Sequence, residues 1–153
     1  MEDINRILVV SRMTSDCRAA IRTGISMAEK FKAELSVVHV MHDPLIFGAW
    51  NLPKPSLEDD YKKAFKDAKE QLHAIIDSEK KKGVNIKEIV KEGDPTEVIL
   101  STVKEEKIDF IIMLAHEEGR VEHFLFGRAN EAIIRRLPCS VLLLKKEPEA
   151  IAF

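Results

Sequence analysis

The sequence predicts a single α/β domain, a three-layer sandwich in which a five-stranded parallel sheet lies between layers of four helices. Short aliphatic runs alternate with amphipathic helical segments along the chain, and no linker is long enough to divide it. Strict alternation of strands and helices is typical of a parallel sheet with right-handed crossovers. The length of 153 residues is about one domain's worth. The strand order expected for such a sheet is 3-2-1-4-5.

Five apolar runs are predicted to be strands, because they are short, rich in aliphatic residues and bounded by turn signals. The third run alternates, as expected for a less buried strand near an edge. The five runs are RILVVS at 6–11, LSVVHVM at 35–41, VNIKEIV at 84–90, then 108–114 and 140–145.

Four helices are predicted between these strands. The first covers 15–32, where apolar residues recur at helical spacing. The second begins after a cap at Ser56 and ends before Gly83, which suits a helix stop. The third begins at Asp94-Pro95, since proline fits the first position of a helix. The fourth covers 124–136.

Composition excludes several classes of function. The net charge of −2 gives no global attraction to nucleic acid. No apolar run approaches the roughly 20 residues that a membrane-spanning helix needs. The segment MEDINRILVV lacks the basic stretch and cleavage site of a signal peptide. Cys17 and Cys139 form no CxxC or metal-binding spacing, so both are expected to be reduced thiols in a cytoplasm.

The order 3-2-1-4-5 predicts where a ligand would bind. In open α/β sheets, ligands bind at the carboxyl ends of the strands, where the strand order reverses. That point lies between the first and fourth strands. The candidate site is therefore built from residues 11–16 and 114–128.

Four segments give the chain its resemblance to the universal stress protein family over nearly its whole length: RILVV, LSVVHVMHDP, EGDPTEVIL and RRLPCSVLLLK. The resemblance implies a domain over 1–147 with a tail at 148–153, and a fold of the adenine-nucleotide alpha-hydrolase-like type. It also implies a stress-response role and a homodimer paired through the fifth strand. Pairing would remove an open aliphatic edge. The implied interface residues are Val141, Leu142, Leu143 and Leu144.

The nucleotide-binding branch of this family has the motif G-x-x-G-x9-G-[ST] after the fourth strand. On this chain the first two glycines fall at Leu114 and Glu117, the third is kept as Gly127, and the hydroxyl position is Arg128. The position of the family's base-binding aspartate is Arg12. The full set of positions that correspond to the family's nucleotide site is Arg12, Val40, Leu114, His116, Glu117, Gly127 and Arg128.

These changes predict that ATP binding is lost, that no cofactor is held, and that the protein is not an enzyme but acts through protein partners. No catalytic motif contradicts this. The alternative is a module that keeps ATP, AMP or another anion in the same crevice, and a weak ATPase is a third possibility. Arg12 and Arg128 could hold an anion beside His116. We favour the simpler interpretation, in which each arginine pairs with a nearby glutamate: Glu117, Glu118, Glu122 or Glu131.

Three other features have a sharper and a simpler interpretation, and we favour the simpler one each time. His39, with His42, His116 and His123, could suggest a metal, but a strand histidine at the sheet core or rim fits better. Cys17 could be a redox thiol at a helix start, but its apolar face predicts buried packing. The apolar loop Pro44–Pro55 could be a partner-binding patch. A flap over the carboxyl end of the sheet is the preferred interpretation.

Overall fold

The computed structural model describes residues 3–11, 17–41, 54–80, 83–115 and 121–145. The elements within these ranges are β1 (Arg6–Ser11), α1 (Cys17–Phe31), β2 (Glu34–Met41), α2 (Lys54–Glu79), β3 (Ile86–Glu92), α3 (Pro95–Glu105), β4 (Phe110–Leu114), α4 (Val121–Arg136) and β5 (Ser140–Leu144). All strand pairs are parallel, in the order β3-β2-β1-β4-β5. The predicted fold class and strand order are confirmed.

Several element boundaries differ from the sequence prediction; β4, for example, begins at Phe110 and not at 108. Helix α2 begins at Lys54, so Ser56 lies inside the helix and is not its cap. Pro55 does not prevent this, because the first turn of a helix has no partner for its N–H groups. Helix α4 begins at Val121 and not at 124. Strand β3 begins at Ile86, which pairs with Leu35, and it follows β2 to the end of that strand.

The start of α3 follows the prediction. The Asp94 side chain accepts a hydrogen bond from the Glu97 N–H at 3.1 Å, and Pro95 is the first helical residue. This satisfies one of the N–H groups that have no partner within the helix. Ile99, Thr102 and Val103 form the buried face of α3.

The sheet has an apolar core on each face. Val9, Leu35 and Ile112 belong to the cluster that packs under α1 and α2. Leu8, Val38 and Ile111 belong to the cluster on the other face, under α3 and α4. Because successive strand residues point to opposite faces, each central strand contributes to both clusters.

Helix α1 lies very close to the sheet at Gly24. A Cβ atom at this position would be 2.6 Å from Val9 Cγ2 and 3.2 Å from Leu35 Cδ1. No Cβ atom fits at such a distance, so glycine is what lets the helix approach the central strands. Within the described ranges, no helix is both long and apolar enough to cross a membrane.

Candidate functional site at the carboxyl end of the sheet

The reversal of strand order that marks a ligand crevice is present between β1 and β4. Ser11 ends β1 and Leu114 ends β4. The predicted site therefore begins where both strands end. Its residues Arg12, His116 and Glu117 lie outside the described residues, as does most of the predicted flap Pro44–Pro55.

The last residue pair between β1 and β2 consists of two polar residues. Ser11 is fully buried and lies beside His39 in the register of the two strands. The His39 Nδ1 atom is 3.2 Å from the Ser11 carbonyl oxygen. A carbonyl only accepts, so Nδ1 carries the proton in this contact. The prediction that His39 is a strand histidine is confirmed, and its neighbour Val40 is buried at 2% exposure.

Leu114 belongs to the apolar core. It is 4% exposed and belongs to the same cluster as Val9 and Ile112, under α1. Where the family's motif has a glycine, this chain places a full aliphatic side chain at the end of β4. The side chain takes up space that a glycine would leave open.

Gly127 lies within α4, six positions after the helix begins at Val121. The N–H groups without a helical partner are those of the first turn, and Gly127 lies beyond them. Because the helix begins at Val121, the Gly127 N–H is used within the helix. That N–H is therefore not available to bind a ligand.

Arg128 does not face the end of β4. Arg128 is exposed, whereas Asn130, two positions later on the same helix, is buried at the end of β4. Two helical positions are about 200° apart around the axis. Because Arg12 lies outside the described residues, the possible convergence of Arg12 and Arg128 on one anion stays a prediction. Glu131 was one of the glutamates predicted to pair with these arginines. In the structure it pairs with Arg135 at 3.3 Å.

Asn130 is a site residue that the sequence analysis missed. It is 7% exposed, and its Nδ2 atom donates a hydrogen bond to the Leu114 carbonyl oxygen at 2.7 Å. The signal in the sequence was an amide side chain three residues after Gly127, on the inner side of a helix. A buried amide without a partner is costly, so this position pointed to a specific acceptor.

No metal site is found in the part of the chain that the structure describes. No group of three histidine, cysteine or acidic side chains there is placed to hold an ion. Of the four histidines considered as ligands, His39 is the one whose side chain is described, and its Nδ1 is engaged by Ser11.

Cys139 is a partly buried free thiol just before β5. Burial raises its pKa to about 11, with a further contribution from the charge of Asp109. The thiolate is the reactive form of cysteine. Cys139 therefore has the character of a packing residue and not of a nucleophile.

A groove at the opposite end of the sheet does not supply an alternative site. Its volume is about 870 Å³, and it lies at the amino ends of β2 and β3. Charged residues on its walls pair with one another: Arg6 with Glu34 at 3.3 Å, and Lys87 with Glu106 at 2.8 Å. Each pair joins one positive and one negative group, so these four side chains give the groove no net charge.

The predicted dimer residues form an edge strand. Strand β5 pairs with β4 on one side and is last in the sheet order. Leu143 is 44% exposed. Val141, Leu142 and Leu144 are partly buried and pack against the two cores.

Comparison with known proteins identifies the family. A family model described as the universal stress protein family matches residues 3–145. A universal stress protein of Methanocaldococcus jannaschii is 26% identical over 151 residues, which are 95% of this chain and 85% of that protein.

Two solved structures show the same fold. The universal stress protein UspA of Lactobacillus plantarum superposes with a TM-score of 0.69 at 22% identity, over 94% of this chain and 99% of that one. An Arabidopsis thaliana protein of the family, solved with AMP bound, has a TM-score of 0.61 at 16% identity, over 95% and 94%. Sequence motifs, strand order and these matches agree, and the chain belongs to the universal stress protein family.

Proposed function

We propose that this protein is a non-enzymatic regulator of the stress response that acts as a homodimer, paired through β5, and that it does not bind ATP. It would act in the cytoplasm through protein partners, with the loop Pro44–Pro55 as the candidate partner surface. The observation that carries the proposal is the contrast between an aliphatic strand at the edge of the described sheet and a nucleotide position occupied by Leu114.

The β5 edge supports the homodimer. An edge strand presents backbone N–H and C=O groups that can pair with another chain. The strand reads Ser-Val-Leu-Leu-Leu and carries no charge that would discourage pairing. Two copies related by a twofold axis would bring the same strand together from both subunits. Such pairing would cover Leu143 and close the sheet edge.

The loss of ATP binding is supported by the end of β4 and the start of α4. Leu114 is packed in the core at the first glycine position, Gly127 lies inside the helix, and Arg128 is exposed on the side away from Asn130. Glu117 adds a negative charge to the loop, and at close range its repulsion of a phosphate is on the order of 1–4 kcal/mol.

Calorimetric titration of ATP into the purified protein tests this part of the proposal. We expect no binding tighter than about 100 µM, which corresponds to about −5.5 kcal/mol. A variant with Arg12→Asp, Leu114→Gly, Glu117→Gly and Arg128→Ser returns all four changed positions to the family's pattern. A gain of ATP binding by this variant alone would support the proposal, and ATP binding by the unchanged protein would contradict it.

The second candidate function is a binding module for AMP or another anion in the same crevice. Two observations favour it: Gly127 is retained, and a relative of the same fold was solved with AMP bound. Titration of AMP and phosphate distinguishes the two functions, with Arg12→Ala plus Arg128→Ala as the control. Binding that this variant loses would establish the second candidate. Phosphate release from ATP by the unchanged protein would instead indicate a weak ATPase.

A further inference from the structure

Asn130 connects α4 to the last residue of β4. Its Nδ2 atom donates to the Leu114 carbonyl oxygen at 2.7 Å, across 16 positions of sequence. The residue is 7% exposed. A hydrogen bond made by a buried amide is hard to replace, since water has little access to either partner once the bond is lost.

The same strand end holds the last residue of the edge strand. The Ala115 N–H donates to the Leu144 carbonyl oxygen at 2.8 Å, and Leu114 lies beside Leu144 in the register of β4 and β5. Leu114 and Ala115 are joined by one peptide unit, which is planar and stiff. An anchor on the Leu114 carbonyl therefore also fixes the direction in which the Ala115 N–H points.

We propose that Asn130 is a positioning residue for the dimer edge: it holds the end of β4, and through Ala115 it fixes the carboxyl end of β5 in the geometry that pairs with a second copy. The inference rests on the proposed homodimer. Strand β5 has five residues and one neighbouring strand. The bond from Ala115 lies at the carboxyl end of β5, where its pairing with β4 ends, so its loss would loosen that end of the strand first.

The test compares Asn130→Leu with a matched control, Thr102→Val. Thr102 is fully buried, and its hydroxyl donates to the Val98 carbonyl oxygen at 2.7 Å within α3. Each variant removes one hydrogen bond from a buried side chain to a backbone carbonyl, but only Asn130 lies at the end of β4. Thr102→Val also removes the bond that the Thr102 hydroxyl accepts from Lys91 at 3.3 Å, so it is the more demanding control for stability. Asn130→Asp is a second variant, because it keeps the size of the side chain and, at a pH where the carboxyl group is ionised, replaces the donor with an acceptor.

Sedimentation equilibrium would give the dimer dissociation constant of each protein. We expect both Asn130 variants to raise this constant about five- to tenfold, the factor that corresponds to one hydrogen bond of ordinary strength. Thr102→Val should lower the free energy of unfolding but leave the dimer constant within about twofold. Amide exchange should be faster at Ala115 in the Asn130 variants and unchanged there in Thr102→Val.

Two outcomes would overturn the inference in different ways. If the unchanged protein dimerises and the Asn130 variants match Thr102→Val in dimer constant and in exchange at Ala115, the positioning role is wrong and the dimer stands. If the unchanged protein is a monomer at every concentration, the proposed dimer is wrong, and the role of Asn130 in it falls as well.

Discussion

The two edges of the sheet are built in opposite ways. Each charged residue of β3 contacts a partner at a neighbouring helix. Lys87 and Lys91 pair with Glu106 and Glu105 at the end of α3, at 2.8 and 2.7 Å. On the opposite face, Glu88 pairs with His73 of α2 at 2.8 Å, and Glu92 accepts a hydrogen bond from Tyr61 of the same helix. Strand β5 has no charged residue.

This difference supports the proposal that β5 pairs with a second copy while the charged β3 edge resists pairing. Charged side chains on an edge strand discourage pairing with another chain, because pairing would remove them from water. An aliphatic edge that stays open is an aggregation hazard unless a defined partner covers it. With one edge charged and the other aliphatic, the proposed assembly is a closed dimer and not an extended one.

The largest effect on the proposed β5 pairing is expected from Leu143→Lys, which gives β5 a charge like those of β3. In an isologous dimer the substitution occurs twice, and it places two ammonium groups close to the twofold axis. We expect the dimer dissociation constant to rise by about 100-fold, which is about 2.7 kcal/mol. Sedimentation equilibrium measures it. The matched control is Phe31→Lys, since Phe31 is 50% exposed at the end of α1, away from β5. Equal effects of the two variants would contradict a β5 interface.

Gly24→Ala tests whether the stability of the domain and the pairing of β5 can change independently. The new Cβ would be 2.6 Å from Val9 Cγ2, so helix α1 must move away from the sheet. We expect a loss of about 1–3 kcal/mol in the free energy of unfolding, as is typical of overpacking. Urea unfolding measures it. The dimer constant should stay within about twofold of the unchanged protein, once the folded fraction is taken into account. A large rise in that constant would mean that pairing depends on the whole core.

The double substitution Lys87→Val with Lys91→Val makes the β3 edge resemble β5. Both ion pairs are partly exposed, so we expect the free energy of unfolding to change by less than about 1 kcal/mol. The larger consequence should be self-association beyond the dimer, seen as species of higher mass in light scattering. The control Lys87→Arg with Lys91→Arg keeps the charges and should stay dimeric. No increase in association would show that charge is not what protects this edge.

The smallest effect is expected at the His73–Glu88 contact, which joins α2 to β3. The hydrogen bond and the charge of Glu88 raise the pKa of His73 above its ordinary value. Protonated His73 is therefore favoured in the folded state. Its contribution to stability is full below the ordinary pKa of about 6.5 and is lost as the pH rises through the raised pKa.

His73→Gln should therefore lower the free energy of unfolding slightly at pH 5.5 and leave it unchanged at pH 9, as measured by urea unfolding. Glu88→Gln removes the same pair from the other side and should show the same dependence on pH. A loss of equal size at both pH values would mean that the contact acts through packing and not through charge.

The sequence was sufficient to predict the architecture because the signals for it are local and repeated. Aliphatic runs such as RILVVS, and the Asp94-Pro95 helix start, carry their own physical reasons, and both appear in the structure as predicted. The start of α2 was wrong because Ser56 offered capping chemistry that the helix does not use; the helix begins at Lys54. A capping residue indicates only that a helix could begin there, since neighbouring structure can override it.

The site was harder to predict because its geometry depends on contacts between distant segments. The motif spacing located Leu114 and Gly127, but it could not show that Leu114 belongs to the core, and the helix start was predicted three residues after Val121, where α4 begins. Asn130 was missed because its acceptor is a backbone carbonyl 16 residues away. An amide on the inner side of a helix indicates that it has an acceptor, but a backbone acceptor leaves no mark in the sequence, so only the fold reveals which one.

Amide exchange at both sheet edges, measured on the unchanged protein over a range of concentrations, tests most directly whether β5 is the edge that pairs. We predict that β5, Ser140–Leu144, exchanges slowly at high concentration and faster on dilution, because its outward amides are protected only in the dimer. Strand β3, Ile86–Glu92, should exchange at a rate that does not depend on concentration. Rates at β5 that are equally independent of concentration, or protection that moves to β3, would contradict the central claim that β5 is the pairing edge.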